Sequence, residues 1–223
     1  MAGKNRLDTP KAPALPYAPV EYDRQAADAT NNILRQYFQT LDSTNASLLS
    51  LGGGYYLSFP HIAAQDNTNQ YATATNTATK VLWSQLDSGL KFTLNVDNSA
   101  TPECSGIYKI DYSLQFANTD TQIRDVFVWL HTDGADVPGS GSRFSVPSSH
   151  GGVPGYLVAY SSVTFSITAG TPITLYWATN QAATSGGASG VYMVTYAAQT
   201  SPFAMPSTPS AIGSIVFVSG ITT

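Results

Sequence analysis

The chain has 223 residues, of which 43% are hydrophobic and only 11% charged, against about 25% charged in ordinary soluble domains. That apolar content supports a packed core and excludes an intrinsically disordered chain, and a net charge of −4 leaves no global footprint for nucleic acid. A single cysteine, Cys104, excludes an intrachain disulfide and a multi-cysteine zinc site.

The first twenty residues, MAGKNRLDTPKAPALPYAPV, place Pro10, Pro13, Pro16 and Pro19 at every third position. That spacing favours an extended, polyproline-like arm laid along a partner or left without fixed structure. Lys4, Arg6 and Lys11 make the arm mildly basic, too few charges for a nucleic-acid site. No apolar run follows these residues, so neither a signal peptide nor a bilayer span is expected, and the expected setting is a reducing cytoplasm.

Next comes YDRQAADATNNILRQYFQTLDS. Asp23 reads as an N-cap, and Ala26, Thr30, Ile33, Leu34, Tyr37, Phe38 and Leu41 fall on one helical stripe. A helix of about twenty residues with such modest propensity needs a packing partner. That partner is either its own domain or a second copy of itself. Gly52, Gly53 and Gly54 then read as a hinge, followed by a Thr/Asn/Ala tract.

From about Val81 the period changes to two. LKFTLNV places Leu90, Phe92, Leu94 and Val96 on one face. GIYKIDYSLQF places Tyr108, Ile110, Tyr112, Leu114 and Phe116 inward against Lys109, Asp111, Ser113 and Gln115. Further strands are expected over Val126–His131, Gly155–Thr168, Pro172–Thr179, Val191–Ala197 and Ser214–Gly220, separated by Gly, Pro, Asn and Ser turns. In the first of these, Phe127 and Trp129 take one face and Val126, Val128 and Leu130 the other, which predicts cover on both sides, by the opposing sheet and by a neighbouring subunit. No helical pattern interrupts these strands, which excludes a parallel α/β sheet. The fold class is therefore all-β, an antiparallel jelly-roll sandwich, with an immunoglobulin-like sandwich as the alternative. The expected division is an arm plus anchoring helix over 1–50, a Gly/Thr/Asn-rich linker with a first strand over 51–80, and the jelly roll over 81–223.

After Arg143 the sequence has no Asp, Glu, Lys or Arg. Soluble monomers keep charge on their surfaces, so this stretch reads either as faces covered by other subunits or as a polar but uncharged β surface. Chemistry is sparse. His61, His131 and His150 show no triad spacing, the only glutamates are Glu21 and Glu103, and no phosphate loop or dinucleotide fingerprint occurs. His131, Asp133 and Asp136 form the densest polar cluster, but DGAD lacks the oxygen ligands a divalent cation needs and reads as turn chemistry. His150, beside Gly151 and Gly152, reads as an exposed loop residue. No catalytic residue, metal site or cofactor is expected, and a glycan hydrolase is disfavoured for want of a carboxylate pair. Tyrosines spread through the β region, among them Tyr55, Tyr56, Tyr156, Tyr160, Tyr176, Tyr192 and Tyr196, suit subunit interfaces or sugar binding. The candidate oligomer or anchoring interface is Ile33, Leu34, Tyr37, Phe38, Leu41, Tyr176, Tyr192 and Phe217.

The run SGIYKIDYSLQF…DVFVWLHTDGADVPGS…VTFSITAGTPITLYW, with its ending MPSTPSAIGSIVFV, resembles a module found in many tailed-bacteriophage virion proteins. The opening YDRQAADATNNILRQYFQTLD is similar to a short helix at the start of such proteins. The resemblance covers the helix and most of 81–220. It departs at His131 and Thr132, where Asn is frequent, and at Thr171, where Asp is frequent. The module is similar to compact trimeric jelly rolls of the tumour-necrosis-factor and C1q type. The resemblance implies a non-enzymatic virion protein, assembled in the host bacterial cytoplasm and carried on the particle surface. It implies a homotrimer that contacts other virion proteins such as the major capsid protein, with no nucleic acid and no membrane. The favoured role is a head decoration, or cement, protein anchored by its arm. The alternative is a short tail or head fibre whose knob binds a host glycan.

Overall fold

A computed structural model describes residues 11–15, 17, 21, 23–49 and 59–220. The expected hinge at Gly52–Gly54, and Pro10, Pro16 and Pro19 of the arm, lie outside the described residues. The chain divides into two compact units, one below residue 59 and one from Phe59 onward.

In the first unit a single helix, α1, runs Arg24–Leu49. Asp23 caps it as expected: its Oδ1 accepts from the Gln25 amide at 2.8 Å, and its carbonyl receives the first helical bond, from Ala27. The helix continues past the expected end near Ser43 because nothing in TNASLL breaks it. The Thr40 and Ser47 hydroxyls bond back to carbonyls four residues earlier rather than competing for another conformation.

The second unit is the expected antiparallel jelly-roll sandwich. Its strands are β1 (His61–Asp66), β2 (Gln70–Tyr71), β3 (Thr79–Lys80), β4 (Gln85–Leu90), β5 (Phe92–Leu94), β6 (Ala100–Pro102), β7 (Gly106–Asn118), β8 (Arg124–Thr132), β9 (Ala135–Asp136), β10 (Ser142–Val146), β11 (Gly155–Ile167), β12 (Ile173–Thr179), β13 (Val191–Met193) and β14 (Ala211–Ser219). One sheet has the order β2-β13-β7-β14-β1-β4, with β11 paired along the other edge of β7. The second has the order β10-β8-β12-β6-β5, with β3 added to β12 and β9 to β8.

The period-two pattern of β7 does what it promises. Tyr108, Ile110, Tyr112, Leu114 and Phe116 are all buried between the sheets. They meet Val126, Val128 and Leu130 of β8 and Trp177 of β12, whose ring centroid lies 5.4 Å from that of Phe116. Burying each such side chain contributes about 1.5–3 kcal/mol, and this cluster is what holds the two sheets together.

Two expectations are corrected. First, the β unit begins at Phe59 rather than at 81, because β1 sits inside the first sheet between β14 and β4, with Ile62 and Ala64 buried. Second, LKFTLNV is not one strand. Lys91 takes φ 56°, a left-handed kink that sends β4 into one sheet and β5 into the other and leaves Val96 fully exposed in the turn beyond. The opposing sheet covers the inner face of β8 as expected, with Val126, Val128 and Leu130 buried, while Phe127 on the outer face is 40% exposed within the protomer. The strand expected over Val191–Ala197 shortens to β13, after which Tyr196 and Gln199 make isolated bridges to Thr208 and Met205.

Candidate functional site

The charge-free C-terminal stretch becomes a surface through β7, β11 and β14. Because β11 lies on one edge of β7 and β14 on the other, their outward residues form rows across the sheet. One row is Tyr160–Ser113–Ile212 and continues to Gln65 on β1; another is Thr164–Lys109–Val216 and continues to His61. Tyr156, Val158, Tyr160, Ile212, Val216 and Val218 on this face are each 41–59% exposed. The three strands carry only two charged residues, Lys109 and Asp111, and these pair with each other at 3.0 Å. Burial alone would raise the Asp111 carboxyl. Hydrogen bonds from Ser162, Lys109 and Tyr160 together outweigh that and hold it below its ordinary range. The face therefore has no uncompensated charge, and a partner could cover it without stranding an ion.

At one end of this face four tyrosines gather. Tyr71 and Tyr192 stack with centroids 5.2 Å apart and planes 11° off parallel, and Tyr156 meets Tyr196 at 6.0 Å. Burial, and Tyr156 beside it, push the Tyr196 hydroxyl well above the usual tyrosine value.

Within the β unit the three expected interface residues Tyr176, Tyr192 and Phe217 lie on different faces. In the β unit Tyr192 belongs to the first sheet and Tyr176 to the outer face of the second. Phe217 turns inward and packs edge-on against Tyr108 at 5.6 Å, so its own protomer accounts for it. On α1, Ile33, Leu34, Tyr37 and Leu41 are half-exposed and Phe38 is 55% exposed. Lys11 and Pro13 of the arm line a hollow with Ile33 and Tyr37.

The outer face of the second sheet holds a cluster that the sequence reading took for turn chemistry. Asp133 (φ 50°) and Gly134 (φ 75°) do make the turn, both left-handed, as a two-residue hairpin between β8 and β9 requires. Asp136 has another task. That turn pairs it with His131 across the hairpin; its Oδ1 accepts from Trp129 Nε1 at 2.8 Å and contacts His131 Nδ1 at 2.9 Å. Hydrogen bonding to His131 first and Trp129 second holds the Asp136 carboxyl below its ordinary range. Tyr176, beside Trp129 on β12, lies 6.0 Å from that ring and 17° off parallel, and 5.2 Å from the His131 ring. Reading Asp133-Gly134 as a two-residue hairpin would have placed Asp136 opposite His131 from sequence alone.

The other candidates stay apart. His61 bonds the Phe59 carbonyl and Ser88 Oγ, His150 is exposed at a turn made by the left-handed Gly151 and Gly152, and Cys104 contributes its carbonyl to the Tyr108 hydroxyl. Among the described residues no three His, Cys, Asp or Glu side chains converge, and no helix is long and apolar enough to cross a membrane.

No protein-family model matches the sequence, and no curated protein matches it. Among solved structures the chain is similar to that of Eiger TNF from S. frugiperda, with 12% identity and a TM-score of 0.47 over 75% of this chain and 97% of that one.

Proposed function

We propose that this chain is a non-enzymatic structural protein of a phage virion. Three copies associate through the outer face of the β7–β11–β14 sheet, and the segment before residue 59 attaches the trimer to the particle. The observation that carries the self-association is the face itself: six large apolar or aromatic side chains, 41–59% exposed, on strands whose only charges are the Lys109–Asp111 pair. An apolar face of this kind on a single sheet marks an interaction surface rather than a solvated one. A flat, uncharged face repeated on identical chains is suited to cyclic closure. The phage assignment is supported by the resemblance of the helix and of residues 81–220 to virion modules, and the half-exposed stripe on α1 supports attachment through that helix.

On the head, such a trimer would act as a cement, adding buried surface across shell junctions. The test is native mass spectrometry of the purified chain together with its copy number in purified particles. A mass of three chains and hundreds of copies is expected. A monomer at micromolar concentration overturns the assembly, and a few to tens of copies moves the trimer from the shell to a short fibre.

A further inference from the structure

The Trp129–Tyr176–Asp136 cluster lies on the opposite sheet from the proposed trimer face. Both donors to Asp136 converge on Oδ1, while Oδ2 has no partner among the described residues and the side chain is 68% exposed. An ionised carboxylate only accepts hydrogen bonds, so this free oxygen calls for a ligand that donates. Its orientation is already fixed by two neighbours, so binding need not order it. The hydroxyl of Tyr176 is likewise without a partner among the described residues. The cations on this face among the described residues are both engaged: Lys80 is tied to Asp97 at 2.9 Å, and Arg143, over the Phe127 ring, to Asp125 at 2.6 Å. Beyond Tyr176 opens a hollow of about 500 Å³, edged by Tyr71, Thr73 and Thr79. That is within the size range of small-ligand pockets.

We propose that this cluster binds a neutral pyranose saccharide. A sugar ring has one face of C–H groups that packs on aromatic rings and a rim of hydroxyls that donate to a carboxylate; the rings of Trp129 and Tyr176 meet the first, and Asp136 Oδ2 the second. Further sugar units extend into the hollow past Tyr71. An acidic glycan is rejected, because its carboxylate would face Asp136 with no free cation to compensate. The inference goes beyond the structural role and holds whether the trimer sits on the head or on a fibre.

The test uses the full-length chain on an array of neutral and sialylated glycans, followed by titration of tryptophan fluorescence with cellotriose, maltotriose, chitotriose and any neutral hit. Binding of at least one neutral saccharide is expected, weakened about tenfold or more by Asp136→Asn and by Tyr176→Ala, the size of effect a bond to a charged acceptor carries. Circular dichroism of both variants should match the parent, and their native mass should be unchanged, which separates failure here from failure of the trimer. A blank array, a preference for sialylated glycans, or neutral binding that survives both substitutions overturns the site. So does a virion protein, rather than a glycan, as the ligand these two substitutions release.

Discussion

Phe217 packs directly against Gly106. A β-carbon on that glycine would stand 2.4 Å from Cε2 and 2.8 Å from Cδ2 of the ring, closer than any packed atoms tolerate. Gly106 opens β7 and Phe217 lies near the end of β14, so this contact and the Tyr108 edge clamp β14 to the central strand β7. Gly106→Ala should therefore cost about 1–3 kcal/mol through overpacking. Phe217→Ala should cost about 3 kcal/mol, the low end of the range for a core phenylalanine because the ring is only partly buried. Urea unfolding would read both. Neither should change the native mass, and dissociation of the oligomer by Phe217→Ala without loss of protomer stability would return this residue to the interface.

Val216, one residue away in sequence, faces the other way and should behave in the opposite manner. It is 41% exposed in the row with Lys109 and His61. A carboxylate there costs little in a free protomer. Within an assembly two carboxylates, the new one and Asp111, would share the single cation Lys109, and the uncompensated charge would be desolvated at several kcal/mol per subunit. Val216→Asp should thus convert trimer to monomer by light scattering while leaving the thermal unfolding of the dilute protomer nearly unchanged. A trimer that persists in this variant would place the contact elsewhere.

What could be read from sequence was whatever depended on local periodicity. The strict alternation of β7 gave five buried residues and their face. The stripe from Ala26 to Leu41, with Asp23 before it, gave a capped helix. What escaped depended on single backbone torsions and on pairing. Nothing in the apolar pattern of LKFTLNV marks Lys91 as left-handed, yet that one residue moves Phe92 to the other sheet. The tract before Val81 is poor in large apolar side chains, so β1 carried little periodic signal although Ile62 and Ala64 are buried. The Trp129–Tyr176 contact joins strands more than forty residues apart and is visible only once β8 and β12 are neighbours.

The two units predict separable behaviour. The β unit from Phe59 onward has its own core, and α1 has only a half-exposed apolar stripe. A chain beginning at Phe59 should fold, unfold cooperatively and keep the native mass of a trimer, since the proposed contact face lies wholly on β7, β11 and β14. It should no longer attach to particles that lack the protein, in a sedimentation assay. Attachment equal to that of the full chain would remove the anchoring role from the helix and arm.

Acid should weaken the fold in a defined window. Hydrogen bonds from Ser99 first and Lys80 second lower the Asp97 carboxyl from 3.8 to about 2. Arg143 lowers Asp125 and Arg124 lowers Asp120 in the same direction. A carboxyl whose folded value is depressed adds stability that is complete above its unfolded value and is lost as pH falls through the folded one. The melting temperature should therefore be level from neutral pH to about 4 and fall between about 4 and about 2. These side chains lie near solvent, so each contributes modestly, and added salt should shrink the effect. Asp97→Asn should flatten part of that fall, and an acid profile identical to the parent's would show that Asp97 is not among the groups responsible.

The last prediction concerns the turn that sets Asp136. Gly134 sits at φ 75° with nothing within 4 Å of where a β-carbon would be, so Gly134→Ala meets backbone strain alone, about 1 kcal/mol, and the two-residue hairpin survives. Asp136 should stay opposite His131, and the Trp129 indole N–H should keep its hydrogen-bonded chemical shift. Inserting one glycine after Gly134 is different in kind. With the two-residue turn kept, the extra residue slips the register of β9 against β8 by one, and Asp136 moves off the face that Trp129 and His131 share. Because β9 is two residues long and carries none of the core, the protein should still fold, with the indole N–H shifted toward that of a free indole. If the insertion left that resonance in place, the pairing of Asp136 with Trp129 would not depend on the hairpin. If it unfolded the protein, β9 would be supporting far more of the sandwich than its two exposed residues indicate.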